Sequence, residues 1–369
     1  MNWYLQSNEN SDVVKSTRIR FARNINGIDF ELNKQNREKL ENKIKENLYK
    51  IGYGLKFLKL KNMDNITKKS LIEKNLLSPI FVAEESQTGS ILINDEENIC
   101  IMIGGENHLS IQVFSEGLEL ENSLNLAIEI EEKIGEILGY CINKKYGYLT
   151  RSLNDVGTGL KASVMLELPA LAKTGNLNRV LDTIRDFNIN IDGEYGKSTK
   201  NAKYIYQISN RQTIGVTEKE IINTIKAIAT KIIDQERQAR KILANEGIEL
   251  EDTINRSYGI LENCKKISYD EATELLTNVK LGVDLGVFDK LTDLQIKLLR
   301  SIAEYDDATN NLVIWLNDAI ENDEERNMEN YIDEATNAYE DHLSRDEARK
   351  FAQDLKKLNP DVDIKLDKK

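Results

Sequence analysis

The chain has few of the residues that staple or punctuate a fold. Among 369 residues there are 3 cysteines, 3 prolines and 2 histidines. Cys100, Cys141 and Cys264 lie too far apart in sequence for a disulfide framework or a zinc knuckle, which suits a reducing compartment. His108 and His342 are equally isolated, so a histidine-rich metal site and a helical zinc-protease motif are both missing. No set of metal ligands supplied by the protein is expected. No apolar run reaches the roughly 18 residues needed to span a bilayer, and the N-terminus lacks the basic, apolar and small-residue succession of a secretory signal. The expected location is the cytoplasm, away from membranes. Positive charge is also in deficit: 62 acidic residues against 50 basic ones leave a net charge of −12. This argues against a nucleic-acid surface, because phosphate backbones demand clustered cations. It leaves room for a local basic pocket.

What is present is a globular composition, 40% hydrophobic and 30% charged, on a length that exceeds one small domain. The low aromatic share, 7%, and the scarcity of proline point to a helix-rich chain. Val13–Phe21 reads as a strand whose Arg18 and Arg20, two apart, share one sheet face. Asn26-Gly27 then turns the chain, and residues 34–50 carry Leu40, Ile44 and Leu48 at helical spacing. Ser90–Asn94 and Ile99–Ile103 form a hairpin pattern around Asp95-Glu96-Glu97-Asn98, and His108–Phe114 adds a third strand. Such short connections exclude helical crossovers, so the sheet is expected to be antiparallel.

Helices are predicted over Leu118–Leu138, Gly159–Ala172, residues 177–187 and Glu218 to about Ala244, with Cys141 placed in an apolar helix. Gly193–Asn201 reads as a mobile polar loop and Tyr204–Ser209 as a strand. From about Ile267 the chain reads as almost wholly helical. The predicted architecture is therefore α+β: an antiparallel sheet flanked by helices over 1–254, an all-helical domain over 255–345 and a charged tail over 346–369.

Arg18 and Arg20, beside Ser16 and Thr17, form either an anion clamp or ordinary strand charges paired with carboxylates. Gly157-Thr158-Gly159, read as preceding a helix, is either an anion site made of free amides and the helix dipole or a simple tight turn; Lys161 would add a charge there. It is not a P-loop. Glu106 follows Gly104-Gly105 at a strand entrance where another chain or ligand can approach closely, although a lone glutamate there is usually structural.

Five ordered blocks carry a resemblance. They are Ser16-Thr17-Arg18-Ile19-Arg20-Phe21-Ala22-Arg23-Asn24; Glu106-Asn107-His108-Leu109-Ser110-Ile111-Gln112; Gly147-Tyr148-Leu149-Thr150 followed by Val156 to Met165; Gln207-Ile208-Ser209-Asn210; and Val279-Lys280-Leu281-Gly282-Val283-Asp284. Together they resemble the guanidino-phosphotransferase superfamily of arginine and creatine kinases, most closely the bacterial protein arginine kinases of the McsB family.

The resemblance implies phosphoryl transfer from ATP, with Mg2+, to arginine side chains of proteins. It implies that Glu106 is a buried catalytic carboxylate and that Ser152 stands where the family has a cysteine. ATP contacts are implied at Ser16, Thr17, Arg18, Ile19, Arg20, Ser110, Lys161, Ala162, Ser163, Val164 and Met165. Further phosphate or loop contacts are implied at Asn75, His108, Gly157, Thr158, Gly159, Arg185, Asp192, Lys197 and Lys200. Several positions depart from the family pattern: Ser110, Lys161 and Asp192 replace arginines, Lys200 a loop glutamate and Asn75 a histidine. A phosphoarginine-recognition motif is reduced to Arg326 near Asp323-Glu324-Glu325. Implied partners are proteins with exposed arginine, a second copy of the chain, a zinc-binding activator protein and a Clp-type protease machine acting in protein quality control under stress. Two alternatives stay open at this point: an impaired pseudokinase acting as a binding or regulatory subunit, and a kinase of a small free guanidino compound.

Overall fold

The computed structural model describes residues 3–185, 187–193, 203–245, 247–264, 267, 269–288 and 296. They belong to two compact units that divide between Asn245 and Glu246. The sequence pattern placed this division after residue 254. The chain instead breaks just past the long helix ending at Leu243, where Gly247 adopts a φ of 65°.

The first unit contains strands β1 (Val14–Arg23), β2 (Lys56–Lys59), β3 (Ser90–Ile93), β4 (Ile99–Ile103), β5 (Leu109–Ser115), β6 (Ile142–Asn143), β7 (Gly147–Tyr148), β8 (Leu160–Glu167), β9 (Ile189–Gly193) and β10 (Ile205–Asn210). Its helices are α1 (Lys34–Glu46), α2 (Leu48–Ile51), α3 (Asn65–Glu73), α4 (Pro79–Glu85), α5 (Leu120–Leu138), α6 (Pro169–Lys173), α7 (Leu177–Arg185) and α8 (Glu218–Leu243). Eight strands join in the order β2-β3-β4-β5-β1-β8-β10-β9, with every neighbouring pair antiparallel. The expected antiparallel sheet is therefore what forms.

One sheet face is apolar. Ile19 and Phe21 of β1, Ile111 and Val113 of β5 and Ala162, Val164 and Leu166 of β8 are buried there. Helix α5 packs on β1 and β5, and α8 on β8 and β10. Buried Leu120, Leu124, Ala127, Ile130, Ile134 and Leu138 recur every three or four residues along α5, which explains why this segment is helical and which stripe it buries. Helix α8 starts at a capping box in which Thr217 and Glu220 satisfy each other's backbone N–H groups. The opposite face is divided. Over β3, β4 and the Phe114 end of β5 it is covered by a core of Leu60, Leu71, Leu76, Leu77 and Phe81; over β1, β8, β10 and β9 it carries polar side chains.

Two predicted elements differ. Gly159–Ala172 is not a helix but β8 followed by the short α6, which begins at Pro169. Leu160, Ala162, Val164 and Leu166 alternate with Lys161, Ser163, Met165 and Glu167, a period of two that fits a strand seated between β1 and β10. Cys141 lies outside any helix, because α5 ends at Leu138 and Gly139, at φ 71°, redirects the chain. The expected loop at 194–201 lies outside the described residues.

In the second unit, α9 (Ile248–Asn263) and α10 (Tyr269–Asp284) pack together around Leu261, Ile267, Ala272, Leu275, Leu276, Val279 and Ile296. Arg326 and the tail from 346 lie outside the described residues. Among the described residues no helix is long and apolar enough to cross a membrane.

Candidate active site

The polar half of the sheet face is assembled by strand register. Arg20 stands opposite Gln112 of β5 and Lys161 of β8, and Arg18 opposite Phe114 and Ser163. Ser163 is opposite Ser209 of β10, which in turn is opposite Asn190 of β9. The next row runs Ser16, Met165, Gln207, Asp192. Because directly paired residues share a face, Arg18, Arg20, Lys161, Ser163, Ser209 and Asp192 converge from four strands.

This strip has a specific deficit. The Nε atoms of Arg18 and Arg20 and the hydroxyls of Ser110, Ser163 and Ser209 are buried without a hydrogen-bond partner. An unsatisfied buried polar group costs about 1–3 kcal/mol, so five on one surface mark a place prepared for a ligand rich in acceptor oxygens. Charge supports the same conclusion. Burial, reinforced by Arg20, lowers the Arg18 pKa to about 10, against the pull of Asp192. Burial also lowers Lys161, with Arg20 and Arg18 adding to the effect and Asp192 and Asp155 opposing it. Arg20 Nη2 meets Asp155 Oδ1 at 2.7 Å. Three crowded cations are thus only partly offset by two acids.

Two loops border the strip at one end of the sheet. Gly104 and Gly105, at φ 102° and 89°, turn the chain between β4 and β5 and present Glu106. Glu106 is exposed, not buried as expected, because the turn carries it beyond the sheet. Its neighbours anchor it: Asn24 Oδ1 accepts from His108 N at 2.8 Å, Asn24 Nδ2 donates to Asn107 Oδ1 at 2.9 Å, and Asn107 Oδ1 accepts from Arg151 N at 3.2 Å. The loops bearing Glu106 and Ser152 are thereby tied together. The Ser152 carbonyl accepts the Thr150 hydroxyl at 2.7 Å. His108 is buried with its pKa lowered by desolvation; Nδ1 accepts from Ile25 N and Nε2 donates to the Asp29 carbonyl. It is a brace, not a phosphate contact.

Other expected contacts are placed elsewhere. Thr17, Ile19, Ala162 and Val164 turn to the apolar face, and the Thr17 hydroxyl bonds the Gly117 carbonyl at 2.6 Å. Gly157-Thr158-Gly159 leads into a strand, so the reading of an anion site at a helix start is overturned. Gly157, at φ 111°, has no space for a Cβ against the Thr213 backbone, and Gly159 is pressed against Ala22 and Arg23. Both are packing glycines. Arg185 lies on the α7 surface, paired with Asp182 at 2.5 Å. Asn75, at φ 59°, adjoins Leu76, whose carbonyl accepts Gln112 Nε2 beside the strip. Lys197 and Lys200 lie outside the described residues.

Sequence reasoning missed Asp155, Gln112 and Ser209. Ser209 had a signal, since Gln207 and Ser209 alternate with the apolar Tyr206 and Ile208 along a strand. Asp155 had none, because its partner Arg20 is 135 residues away.

Comparison with known proteins adds five matches. Residues 36–239 match the family model of the ATP:guanido phosphotransferase C-terminal catalytic domain, and residues 247–301 the protein-arginine kinase McsB C-terminal domain. A protein-arginine kinase of Halothermothrix orenii is 39% identical over 305 residues, 82% of this chain and 86% of the relative. One of Geobacillus stearothermophilus is 40% identical over 293 residues, 77% of this chain and 80% of the relative. Among solved structures, the duplicated taurocyamine kinase of Schistosoma mansoni with bound transition-state-analogue components aligns with a TM-score of 0.55 at 22% identity. That alignment covers 68% of this chain and only 38% of the longer, duplicated one, and it establishes a shared fold alone.

Proposed function

This chain belongs to the ATP:guanido phosphotransferase family, and from that premise we propose that it is an ATP-dependent protein-arginine kinase, forming phosphoarginine on other proteins. The observation that carries the reading is the set of five unpartnered donors, two on Arg18 and Arg20 and three on Ser110, Ser163 and Ser209, next to Lys161. A polyphosphate supplies the oxygens those groups lack. The match of residues 247–301 to a domain of protein-arginine kinases favours a protein as acceptor over a small guanidino compound.

The chemistry follows from charge. Arg18, Arg20 and Lys161 would hold the phosphates of ATP, and Ser110, Ser163 and Ser209 would donate to them; such transfer depends mainly on positioning and electrostatics. A guanidinium is a poor nucleophile because it stays protonated. Glu106 would orient it and take its proton as the guanidinium nitrogen bonds to the γ-phosphorus and the bond to the β–γ bridging oxygen breaks, releasing ADP. Exposure of Glu106 lets an arginine carried on a folded protein reach it. Magnesium, when bound, would neutralise phosphate charge. The reading extends to a cytoplasmic homodimer working with a zinc-binding activator and a Clp-type protease in quality control; support for these is the family resemblance.

The test incubates the full chain with labelled ATP, Mg2+ and an arginine-rich protein, then assays acid-labile, hydroxylamine-resistant label. Transfer is expected, and Glu106→Gln should reduce it by about 10²-fold or more. No transfer by the wild-type protein would refute the assignment.

A further inference from the structure

The ion pair between Arg20 and Asp155 lies inside the site just described and does something the phosphate-holding role does not require. Asp155 Oδ1 sits 2.7 Å from Arg20 Nη2, and the acid is the deeper partner, its side chain 10% exposed against 23% for the arginine. A ligand therefore reaches Arg20 first and Asp155 behind it. The acid cannot readily retreat. Its backbone N–H bonds the Ser152 carbonyl at 3.1 Å, and the Thr213 hydroxyl bridges the carbonyls of Asn154 and Val156, one on each side. Among the described residues, Arg20 is the only side chain that bonds the Asp155 carboxylate. The arginine's Nε, meanwhile, is buried and unpartnered, so its donor fork is half engaged.

From this geometry we infer that Asp155 is a built-in competitor for Arg20, which weakens the hold of the site on nucleotide phosphates. The inference rests on the kinase reading above and deepens it. A phosphate that engages Arg20 comes within a few ångströms of a fixed carboxylate of the same sign, in a partly buried setting where screening is weak. Either Nη2 leaves Asp155, stranding a buried acid, or the arginine serves both anions and the two repel. Both outcomes lower affinity, and both scale with phosphate charge. The field of Asp155 also reaches Lys161, whose pKa it raises against the effect of burial and of the two arginines, so the carboxylate faces the phosphate site as a whole and not Arg20 alone.

Asp155→Asn keeps the shape and an acceptor for Arg20 while removing the charge. Titration calorimetry on the full-length variant and wild type should show ATP bound about tenfold more tightly by the variant, the equivalent of about 1.4 kcal/mol. ADP should gain less and adenosine nothing. A structural role alone would shift all three probes together or weaken them. Asp155→Ser is the second variant, and melting curves report folding for both. Unchanged or weaker ATP binding in folded variants overturns the inference and makes Asp155 an orienting group for Arg20; failure of both variants to fold overturns it in favour of a purely structural pair. If neither wild type nor variant binds ATP, this inference and the kinase reading fall together. If wild type binds and the variant binds equally, only this inference falls. Tighter binding without transfer to arginine would leave it standing and remove the kinase reading.

Discussion

Arg20 and Lys161 stand directly opposite each other across the β1–β8 ladder, two cations in cross-strand register. Like charges so placed oppose folding by roughly 0.2–1 kcal/mol. The sheet keeps them there beside Arg18 and the unpartnered hydroxyls of Ser110, Ser163 and Ser209, an arrangement that costs stability and that the proposed phosphate-holding role accounts for.

Replacing Lys161 separates these two demands. Lys161→Met should raise the melting temperature of the ligand-free protein slightly and weaken ATP by about 10- to 100-fold, the scale of one charged hydrogen bond. Lys161→Arg should bind ATP more tightly than wild type, because a guanidinium offers a bidentate fork where an ammonium offers a point charge. Nucleotide titrations followed by thermal shift check both; tighter binding by the Met variant would remove Lys161 from the site.

The pH dependence of nucleotide binding follows from the crowding. Arg18 is lowered to about 10 and Lys161 is lowered as well, so the fold disfavours their charged forms. For a cation depressed in the folded state, the cost of burial is fully present below the folded pKa and is relieved as pH rises through it. The cradle's positive charge fades over the same range. Affinity for metal-free ADP should therefore fall as pH is raised towards about 10, while ligand-free stability loses one of its opposing contributions. A flat affinity profile through that range would show that these side chains do not hold the phosphates.

Arg23 should be a stability residue with no direct part in chemistry. It is 2% exposed, bonds Glu131 Oε1 at 2.7 Å and the carbonyls of Ala22 and Thr158 at 2.9 Å, and lies 3.5 Å from the Tyr148 ring centroid. Arg23→Met strands the buried Glu131 and should cost about 3–5 kcal/mol in urea unfolding. Adding Glu131→Leu should recover a large part of that loss. A double variant no more stable than the single one would contradict this account.

How much of this was legible depended on distance along the chain. Arg18 and Arg20 share a face because of a local period of two, and that was readable. So were α5 and α8, whose apolar stripes recur within each helix. The β8 segment was misread: Leu160 to Leu166 carries enough apolar residues to suit a buried helix, and only its place between β1 and β10 selects the strand. That single error turned Gly157 and Gly159 from packing glycines into an apparent anion loop. The burial expected for Glu106 was misjudged too, since a turn built on two positive-φ glycines lifts it out of the sheet.

By itself, the sequence determined the family, through five ordered blocks, along with the acidic balance and the alternation that aims two arginines the same way. Only the tertiary structure decided that Lys161 faces Arg20, that Asp155 grips the same arginine and that Asp192 looks onto the cluster from a fourth strand. The reason is physical. Side-chain periodicity arises between residues a few positions apart and is written into any short window. Electrostatic coupling instead acts over ångströms in space, and cross-strand register, which sets those ångströms, emerges only when the whole sheet packs.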